Sequence, residues 1–397
     1  MKILVADQLA VSAVEALKNR GEVFIDSSLK DERLLQTLAE FKPEVLVVRS
    51  TKVNAEHIQN TPSLSLIIRA GAGVNTIAID TASENGVFVA NCPGKNAIAV
   101  AELVMGHILN IDRNLYHNFK DFRNGIWNKK KYGKADGIFG KTIAILGMGA
   151  IGQEVGIRAK AFGLRVKAWS RSLTEEKAKQ LGVIHCKTPL DAVSEADILT
   201  VHLPANPETK HFLNDKLLSS LKKGATVINT SRGTLLDESC IQELSELYNL
   251  KFGLDVFQHE PAAGDLSVET AWMDSENIYV SHHIGASTMQ ATEAVGWAVV
   301  NIIDTWQRKG LVLNCVNLAK QTAATCCLSV RHADKVGVLA GVLEHVRADG
   351  LNIQEMDNII FQGGKAACAR IFLVGTPSDT LLTNLQANPD IFACSIS

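Results

Sequence analysis

Three polar residues each stand just past a short run rich in β-branched and apolar residues. Arg232 follows Thr226-Val227-Ile228-Asn229-Thr230-Ser231, Glu260 follows Leu254-Asp255-Val256-Phe257, and His283 follows Ile278-Tyr279-Val280-Ser281. If these runs are strands of one open α/β sheet, their carboxyl ends border a ligand crevice, where side chains far apart in sequence converge. Taken singly, each has a plain reading: Arg232 as a turn residue, Glu260 before Pro261 as a loop acid, His283 as a satisfied polar group. Together they supply an anion fork, a carboxylate and an imidazole, the set needed to move a hydride to or from a 2-hydroxy or 2-oxo acid.

A second constellation binds rather than reacts. Gly147-Met148-Gly149-Ala150-Ile151-Gly152 follows an apolar run, Thr142-Ile143-Ala144-Ile145-Leu146, and opens a helical pattern over residues 153–162. Glycines at this spacing suit a tight turn, close approach of a pyrophosphate and close helix-sheet packing, with the helix N-terminus holding the anion. Gly140-Lys141-Thr142 is no rival phosphate loop, because Ala135 occupies the upstream glycine position and the segment precedes a strand. The acid that commonly ends the next strand and binds the adenosine ribose is absent. Ser170 and Arg171 stand there, a pair able to bind a 2′-phosphate, although Arg171 also reads as a solvated surface residue.

The elements that must position these groups fall into three sets. Residues 2–6, 22–25, 45–48, 66–68 and 87–90 are strand candidates, separated by helical patterns at 11–19 and 31–41, which describes βα units around a parallel sheet. Pro93-Gly94 interrupts, and one long helix is expected over residues 96–122. Strand candidates resume at 142–146, 165–169, 197–202, 225–228, 251–256 and 277–280, and a helix over 289–308 has no strand after it, so it is expected to pack back across the first set. The third set reads strand 326–330, helix 336–348, strands 352–361 and 365–374, helix 378–386 and strand 391–397: βαββαβ, a ferredoxin-like order.

Composition narrows the field. The 397 residues suffice for two or three domains, and 40 basic against 42 acidic residues argue against a strong nonspecific hold on nucleic acid. The first apolar run meets Asp7 before a signal-peptide core could form, so a soluble, cytoplasmic protein without membrane contact is expected. Eight cysteines without a CxxC pair suggest buried free thiols and no metal site.

With these motifs in this order the chain resembles the D-isomer-specific 2-hydroxyacid dehydrogenases over residues 1–317. The resemblance runs through Arg69-Ala70-Gly71-Ala72-Gly73-Val74, Asn91-Cys92-Pro93-Gly94, the glycine fingerprint, Val201-His202-Leu203-Pro204, Asn229-Thr230-Ser231-Arg232-Gly233, Leu254-Asp255-Val256-Phe257 and His283-Ile284-Gly285-Ala286-Ser287-Thr288. It implies catalytic roles for Arg232, Glu260 and His283, and a nicotinamide cofactor, NAD or NADP. Cofactor contacts fall on Gly147, Gly149, Ala150, Ile151, Gly152, Ser170, Arg171, His202, Pro204, Thr230 and Asp255, the last at the nicotinamide carboxamide. The turn Ala72, Gly73, Val74 would bind the substrate carboxylate. His282 replaces a usual proline and Asn75 a frequent aspartate; neither change touches the reaction, whereas the missing ribose acid leaves NAD against NADP open.

The implied fold is α/β: a Rossmann-type nucleotide domain, residues 95–284, inserted into a flavodoxin-like substrate domain, residues 1–94 and 285–317, followed at 322–397 by a ferredoxin-like domain that resembles the amino-acid-sensing ACT module. That combination is similar to the phosphoglycerate-oxidising branch of the family, which opens serine synthesis. Arg49, Arg69 and Lys129 match phosphate-binding positions there, Lys129 reaching in from a partner subunit of a homodimer or homotetramer, although Lys129-Lys130-Lys131 also reads as a solvated basic run. His332, Asp334 and Asn352 match an L-serine effector site, with Asp334 where an amide is usual, so weak or absent inhibition is expected; an ACT-like domain used only for assembly is the other reading. Two rival functions remain: an NADPH-dependent glyoxylate or hydroxypyruvate reductase, and a dinucleotide-sensing corepressor of the same fold.

Overall fold

The computed structural model describes residues 1–261, 272, 275–319 and 321–397. Two compact units divide the chain, Met1–Asn317 and Leu318–Ser397.

The first unit holds two parallel sheets. Strands β1 (Lys2–Val5), β2 (Glu22–Ile25), β3 (Val45–Val48), β4 (Leu66–Arg69) and β5 (Phe88–Asn91) lie in the order β2-β1-β3-β4-β5. Their central members are apolar on both faces, as a sheet covered by helices on each side requires. The second sheet contains β6 (Thr142–Leu146), β7 (Arg165–Trp169), β8 (Ile184–His185), β9 (Ile198–Val201), β10 (Thr226–Asn229), β11 (Lys251–Leu254) and β12 (Ile278–Val280), ordered β12-β11-β10-β9-β6-β7-β8. The glycine fingerprint follows β6, and Arg232, Asp255 and His283 follow three adjacent strands, β10, β11 and β12. The two-residue strand β8 has no counterpart in the sequence reading, being too short to carry a period.

The single helix expected over 96–122 is two. Ala97–Arg113 is buried along nine of its residues, Leu115–Arg123 along none, and Asn114 between them sits in the left-handed region at φ 52°. Asparagine tolerates that conformation, and Tyr279 Oη lies 3.2 Å from its Oδ1. The helix Met289–Lys309 does pack back on the first set, against the helix Val11–Lys18 that follows β1: a Cβ on Gly296 would stand 2.8 Å from that of Ala13, and Arg20 pairs with Asp304. Of the thiols, Cys92, Cys186 and Cys240 are buried, while Cys315, Cys326, Cys327, Cys368 and Cys394 are half-buried, the last four on strands of the second unit, a small sheet whose helices cover one face. Among the described residues no helix is long and apolar enough to cross a membrane.

The second unit is a four-stranded antiparallel sheet, β13 (Cys326–Ala333), β14 (Asn352–Ile360), β15 (Ala366–Val374) and β16 (Ile391–Ile396), in the order β14-β15-β13-β16. Helices Val338–Ala348 and Asp379–Gln386 cover one face around Leu328, Val330, Ile371 and Leu373, completing the βαββαβ order.

Candidate active site

His283 occupies a strained turn, φ 52°, which a non-glycine residue holds only where its surroundings over-determine it. Asp255, buried at the end of β11, does this. Its carboxylate accepts from Ile284 N at 2.9 Å, Gly285 N at 2.8 Å and Ser281 Oγ at 2.6 Å, while its carbonyl accepts from His283 N at 2.8 Å. The resemblance gives Asp255 to the cofactor; in the structure both carboxylate oxygens are taken up by the His283 turn. Glu260 Oε2 lies 2.7 Å from His283 Nδ1. That hydrogen bond raises the imidazole pKa over opposing burial. Burial would raise the Glu260 pKa, but the His283 contact and the Phe257 amide prevail and lower it. Nδ1 is thereby fixed as the proton-bearing nitrogen, leaving Nε2 to exchange a proton with a ligand.

Arg232 is set by its neighbour. A Cβ on Gly233 would fall 1.9 Å from the Phe257 carbonyl carbon, so only glycine lets the chain turn there. One guanidinium nitrogen of Arg232 donates to Ser231 O at 2.6 Å; the other stands 2.9 Å from where a Cβ on Gly73 would be. The turn 71–74 is tied down by Asn91 Nδ2, which donates to Ala72 O at 2.6 Å, and by Cys92 N, which donates to Gly71 O. Burial pushes the Cys92 thiol up to about 11, so it is no nucleophile. Arg69 folds over Gly71, occupying the space of a missing Cβ, and its buried Nε has no acceptor among the described residues. Its pKa is lowered by burial first and then by the charges of Arg232 and Arg49. Arg69 therefore feels two further guanidinium groups, and one of these, Arg232, also acts on the His283–Glu260 pair.

Sequence reasoning missed what aims Arg49. Asp7, just past β1, accepts from the amides of Arg49 at 2.6 Å, Ser50 at 3.1 Å and Thr51 at 3.0 Å. Burial would raise its pKa, but these bonds outweigh it. An acid directly after the first strand was the available signal. Lys129 is exposed on the short helix Lys129–Tyr132 and is not among the charges acting on Arg69.

The glycine loop forms a cradle. Gly147 has φ 103° and a Cβ there would lie 2.4 Å from His202 O; a Cβ on Gly152 would lie 1.9 Å from Gly147 O; that of Gly149 would meet nothing within 4 Å. Ala150 and Ile151 open the helix Ala150–Ala161, whose N-terminus has no side-chain cap. Thr230 Oγ1 and His202 Nδ1 are buried without partners among the described residues, and burial lowers the His202 pKa to about 3, so its ring is neutral. An open glycine cradle, an uncapped helix end and two orphaned polar atoms fit a dinucleotide. Pro204 is exposed at the rim and Ser170 half-buried, beside Trp169, which stacks on Phe212 at 5.6 Å. Arg171 is exposed but engaged: Glu208 Oε2 accepts from its Nη1 at 2.7 Å. Glu208 escaped the sequence reading, because nothing in its local pattern points to residue 171.

In the second unit the three effector positions do not meet within one chain. His332, buried at the end of β13, and Asn352, opening β14, lie at opposite ends of the sheet: His332 stands opposite Ala367 of β15, Asn352 opposite Val374. The register separates them, since β13 and β14 run the same way with β15 between. His332 Nε2 instead lies 3.2 Å from Asn358 Oδ1, and Asp334 is exposed.

The NAD-binding domain family of D-isomer specific 2-hydroxyacid dehydrogenases matches residues 105–285. A D-3-phosphoglycerate dehydrogenase of Methanocaldococcus jannaschii is 36% identical over 320 residues, 80% of this chain and 60% of that protein. A hydroxypyruvate reductase of Thermotoga maritima is 35% identical over 308 residues, 76% of this chain and 97% of that one. The chain thus spans about three fifths of the length of the archaeal relative. Among solved structures, the NAD+-bound 3-phosphoglycerate dehydrogenase of Entamoeba histolytica superposes with a TM-score of 0.67 at 26% identity, over 80% of this chain and 99% of that one. By fold, motif order and these matches, the chain belongs to the D-isomer-specific 2-hydroxyacid dehydrogenase family.

Proposed function

We propose that this chain catalyses reversible hydride transfer between 3-phosphoglycerate and 3-phosphohydroxypyruvate with NAD or NADP, the first step of serine biosynthesis. The observation that carries this reading is Arg69, on which the charges of both Arg232 and Arg49 act, with a buried N–H that lacks an acceptor among the described residues. One carboxylate would satisfy one arginine; a ligand with both a carboxylate and a phosphate accounts for more.

Gly147, Gly149, Ala150, Ile151 and Gly152 would hold the pyrophosphate of the cofactor, with Thr230, His202 and Pro204 along its length. When bound, its nicotinamide supplies or accepts the hydride. Arg232 and the amides of residues 72–74 bind the substrate carboxylate, and Arg232 polarises the C2 oxygen. His283 Nε2 takes the C2 hydroxyl proton in oxidation and returns it in reduction, while Glu260 stabilises the imidazolium that forms. Arg49 and Arg69 take the phosphate. Residues 1–94 and 285–317 serve as the substrate domain and 95–284 as the nucleotide domain.

Residues 322–397 act as an ACT-like regulatory domain. The outer edge of β14 carries exposed Ile353, Met356, Ile359 and Ile360 and, among the described residues, pairs with no strand of its own chain. Antiparallel pairing with β14 of a second copy, within a homodimer or homotetramer, would bring Asn352 of one copy toward His332 of the other. L-serine binds there weakly at best, because Asp334 replaces an amide. The protein works in the cytoplasm, free of membrane and nucleic acid.

The Thermotoga relative favours a second reading, a glyoxylate or hydroxypyruvate reductase. Turnover of 3-phosphohydroxypyruvate, hydroxypyruvate and glyoxylate, each with NADH and NADPH, decides. A kcat/KM highest for the phosphorylated substrate is expected; preference for either smaller acid overturns the proposal, and no turnover with any of them leaves the corepressor reading.

A further inference from the structure

Two features of the second sheet have no explanation in the binding or proton-transfer roles above. His107 is buried in the helix Ala97–Arg113, where an imidazole loses its hydration. Gly253 sits mid-strand in β11, where glycine weakens a strand. A Cβ on Gly253 would stand 2.7 Å from Ile228 Cδ1, 3.1 Å from His107 Cβ and 3.2 Å from its Cγ, so the glycine makes room for the ring as well as for Ile228. The ring then reaches the end of β12, with Nε2 3.0 Å from Ser281 Oγ. Ser281 Oγ donates at 2.6 Å to Asp255 Oδ1, the oxygen that also accepts from Ile284 N.

From this chain of contacts we infer that His107 is a positioning residue for His283. It fixes the Ser281 hydroxyl on Asp255, and Asp255 in turn holds the left-handed turn at residues 283–285. The inference rests on the reading of His283 as the proton-transfer group. Burial lowers the His107 pKa against the opposing charge of Asp255, so the ring is neutral with one N–H. Because the Ser281 proton is already given to Asp255, that N–H must lie on Nε2 and be donated to Ser281 Oγ. Without it, the hydroxyl is free to rotate, and a buried carboxylate serving three donors loses the one that the helix controls. The same helix packs under the turn through Val100, whose Cγ2 would lie 3.5 Å from a Cβ on Gly285. The helix therefore supports the turn twice, once by packing and once by a directed hydrogen bond.

The test compares His107→Phe, which keeps the ring volume, with His107→Gln, whose Nε2–H reaches a similar place, and with Ser281→Ala. His107→Phe and Ser281→Ala are expected to lower kcat by about tenfold with KM changed less than about twofold, and His107→Gln to restore most of it. A second readout needs no substrate: the titration of His283 followed by NMR of its ring. The groups facing His283 are Glu260, Arg232 and Asp255, and only Glu260 and Asp255 raise its pKa. A loosened turn weakens the Glu260 contact, so the His283 pKa falls in His107→Phe and Ser281→Ala and recovers in His107→Gln. Unchanged His283 titration and unchanged kcat in the folded Ser281→Ala and His107→Phe proteins overturn the inference, as does failure of His107→Gln to differ from His107→Phe. Should His107→Phe fail to fold, Ser281→Ala against wild type decides by the same two measurements. If no 2-oxo acid is turned over at all, the proposed function fails while the titration still judges His107.

Discussion

The His283 turn and the arginine face belong to the same unit yet treat charge in opposite ways. Around His283, the imidazole has Glu260, the turn amides have Asp255, and Asp255 has Ser281. Around Arg69, a buried N–H has no acceptor among the described residues and the nearest charges that lower its pKa are two more arginines. The first arrangement is complete before any ligand arrives, so its geometry costs nothing at the moment of reaction. The second is completed only by an anion, and it lowers the stability of the ligand-free fold to that end. Removing the finished side is expected to have the largest effect. His283→Ala should lower turnover about a hundredfold or more while dinucleotide affinity, measured by titration calorimetry, stays nearly unchanged. A mutant with near-normal turnover would break the assignment of His283.

The unfinished side predicts a gain alongside a loss. Arg69→Met keeps much of the volume and removes a half-buried charge that has no ion-pair partner among the described residues, so it should raise the melting temperature of the ligand-free protein by about a degree or two. It should also cost about tenfold or more in kcat/KM for the phosphorylated substrate, and clearly less for the unphosphorylated analogue. Inorganic phosphate should stabilise the wild type more than the mutant. A mutant that melts lower and loses both substrates equally would show that Arg69 supports the fold and not an anion.

The His283–Glu260 pair gives the comparison a pH axis. The His283 pKa is raised, chiefly by the Glu260 hydrogen bond, so its contribution to stability is full below the ordinary imidazole value of about 6.5 and fades as pH rises through the raised one. The Glu260 pKa is lowered: burial, the largest influence, opposes this and the His283 contact prevails. Its contribution is therefore present above the ordinary carboxyl value of about 4.3 and lost as pH falls through the lowered one. The pair is strongest between about pH 4.3 and 6.5. Glu260→Gln is expected to depress the melting temperature most inside that window and least in alkali. In the same mutant the acidic limb of the oxidative rate profile moves down, because an amide no longer favours the imidazolium. A melting difference that is flat with pH would mean that the contact carries no charge.

What could be read from the sequence, and what could not, follows the reach of each interaction. The strands holding Arg232 and His283 were legible because apolar runs and the residues that end them are adjacent in the chain. The break at Asn114 was not, since a periodic pattern continues through it and the left-handed turn of that one residue leaves no mark on the pattern. The contact of Ser281 with His107 spans 174 residues and that of Arg49 with Asp7 spans 42, and such pairings leave no mark on local pattern. The strand order places Asn352 and His332 at opposite ends of the second sheet, a fact of register that spacing cannot encode.

Arg171 offers the mildest version of the contrast, a guanidinium that is exposed and already matched. Read from sequence alone, Ser170 and Arg171 lead to NADPH being used at least as well as NADH, with Arg171 taking the 2′-phosphate. The structure puts Glu208 on that guanidinium at 2.7 Å, from the loop after β9, while Arg171 comes from the loop after β7. The strand between them is β6, so the pair spans the loop that carries the glycine fingerprint. A 2′-phosphate would have to displace a carboxylate from Arg171 and then lie beside it, whereas a ribose hydroxyl could donate to that carboxylate and leave the pair in place. Glu208 thus supplies, from a neighbouring loop, an acid that the end of β7 lacks. Exposed pairs of this kind are worth at most about 1 kcal/mol, which is about fivefold in a binding constant. Glu208→Gln is therefore expected to raise the ratio of NADPH to NADH affinity by up to about fivefold, most at low salt, and Arg171→Ala to lower it. Direct binding titrations of both dinucleotides to the three proteins read this without turnover. If Glu208→Gln leaves the ratio unchanged while Arg171→Ala lowers it, Arg171 leaves Glu208 at no cost when the phosphate arrives, and the acid has no part in the choice of cofactor.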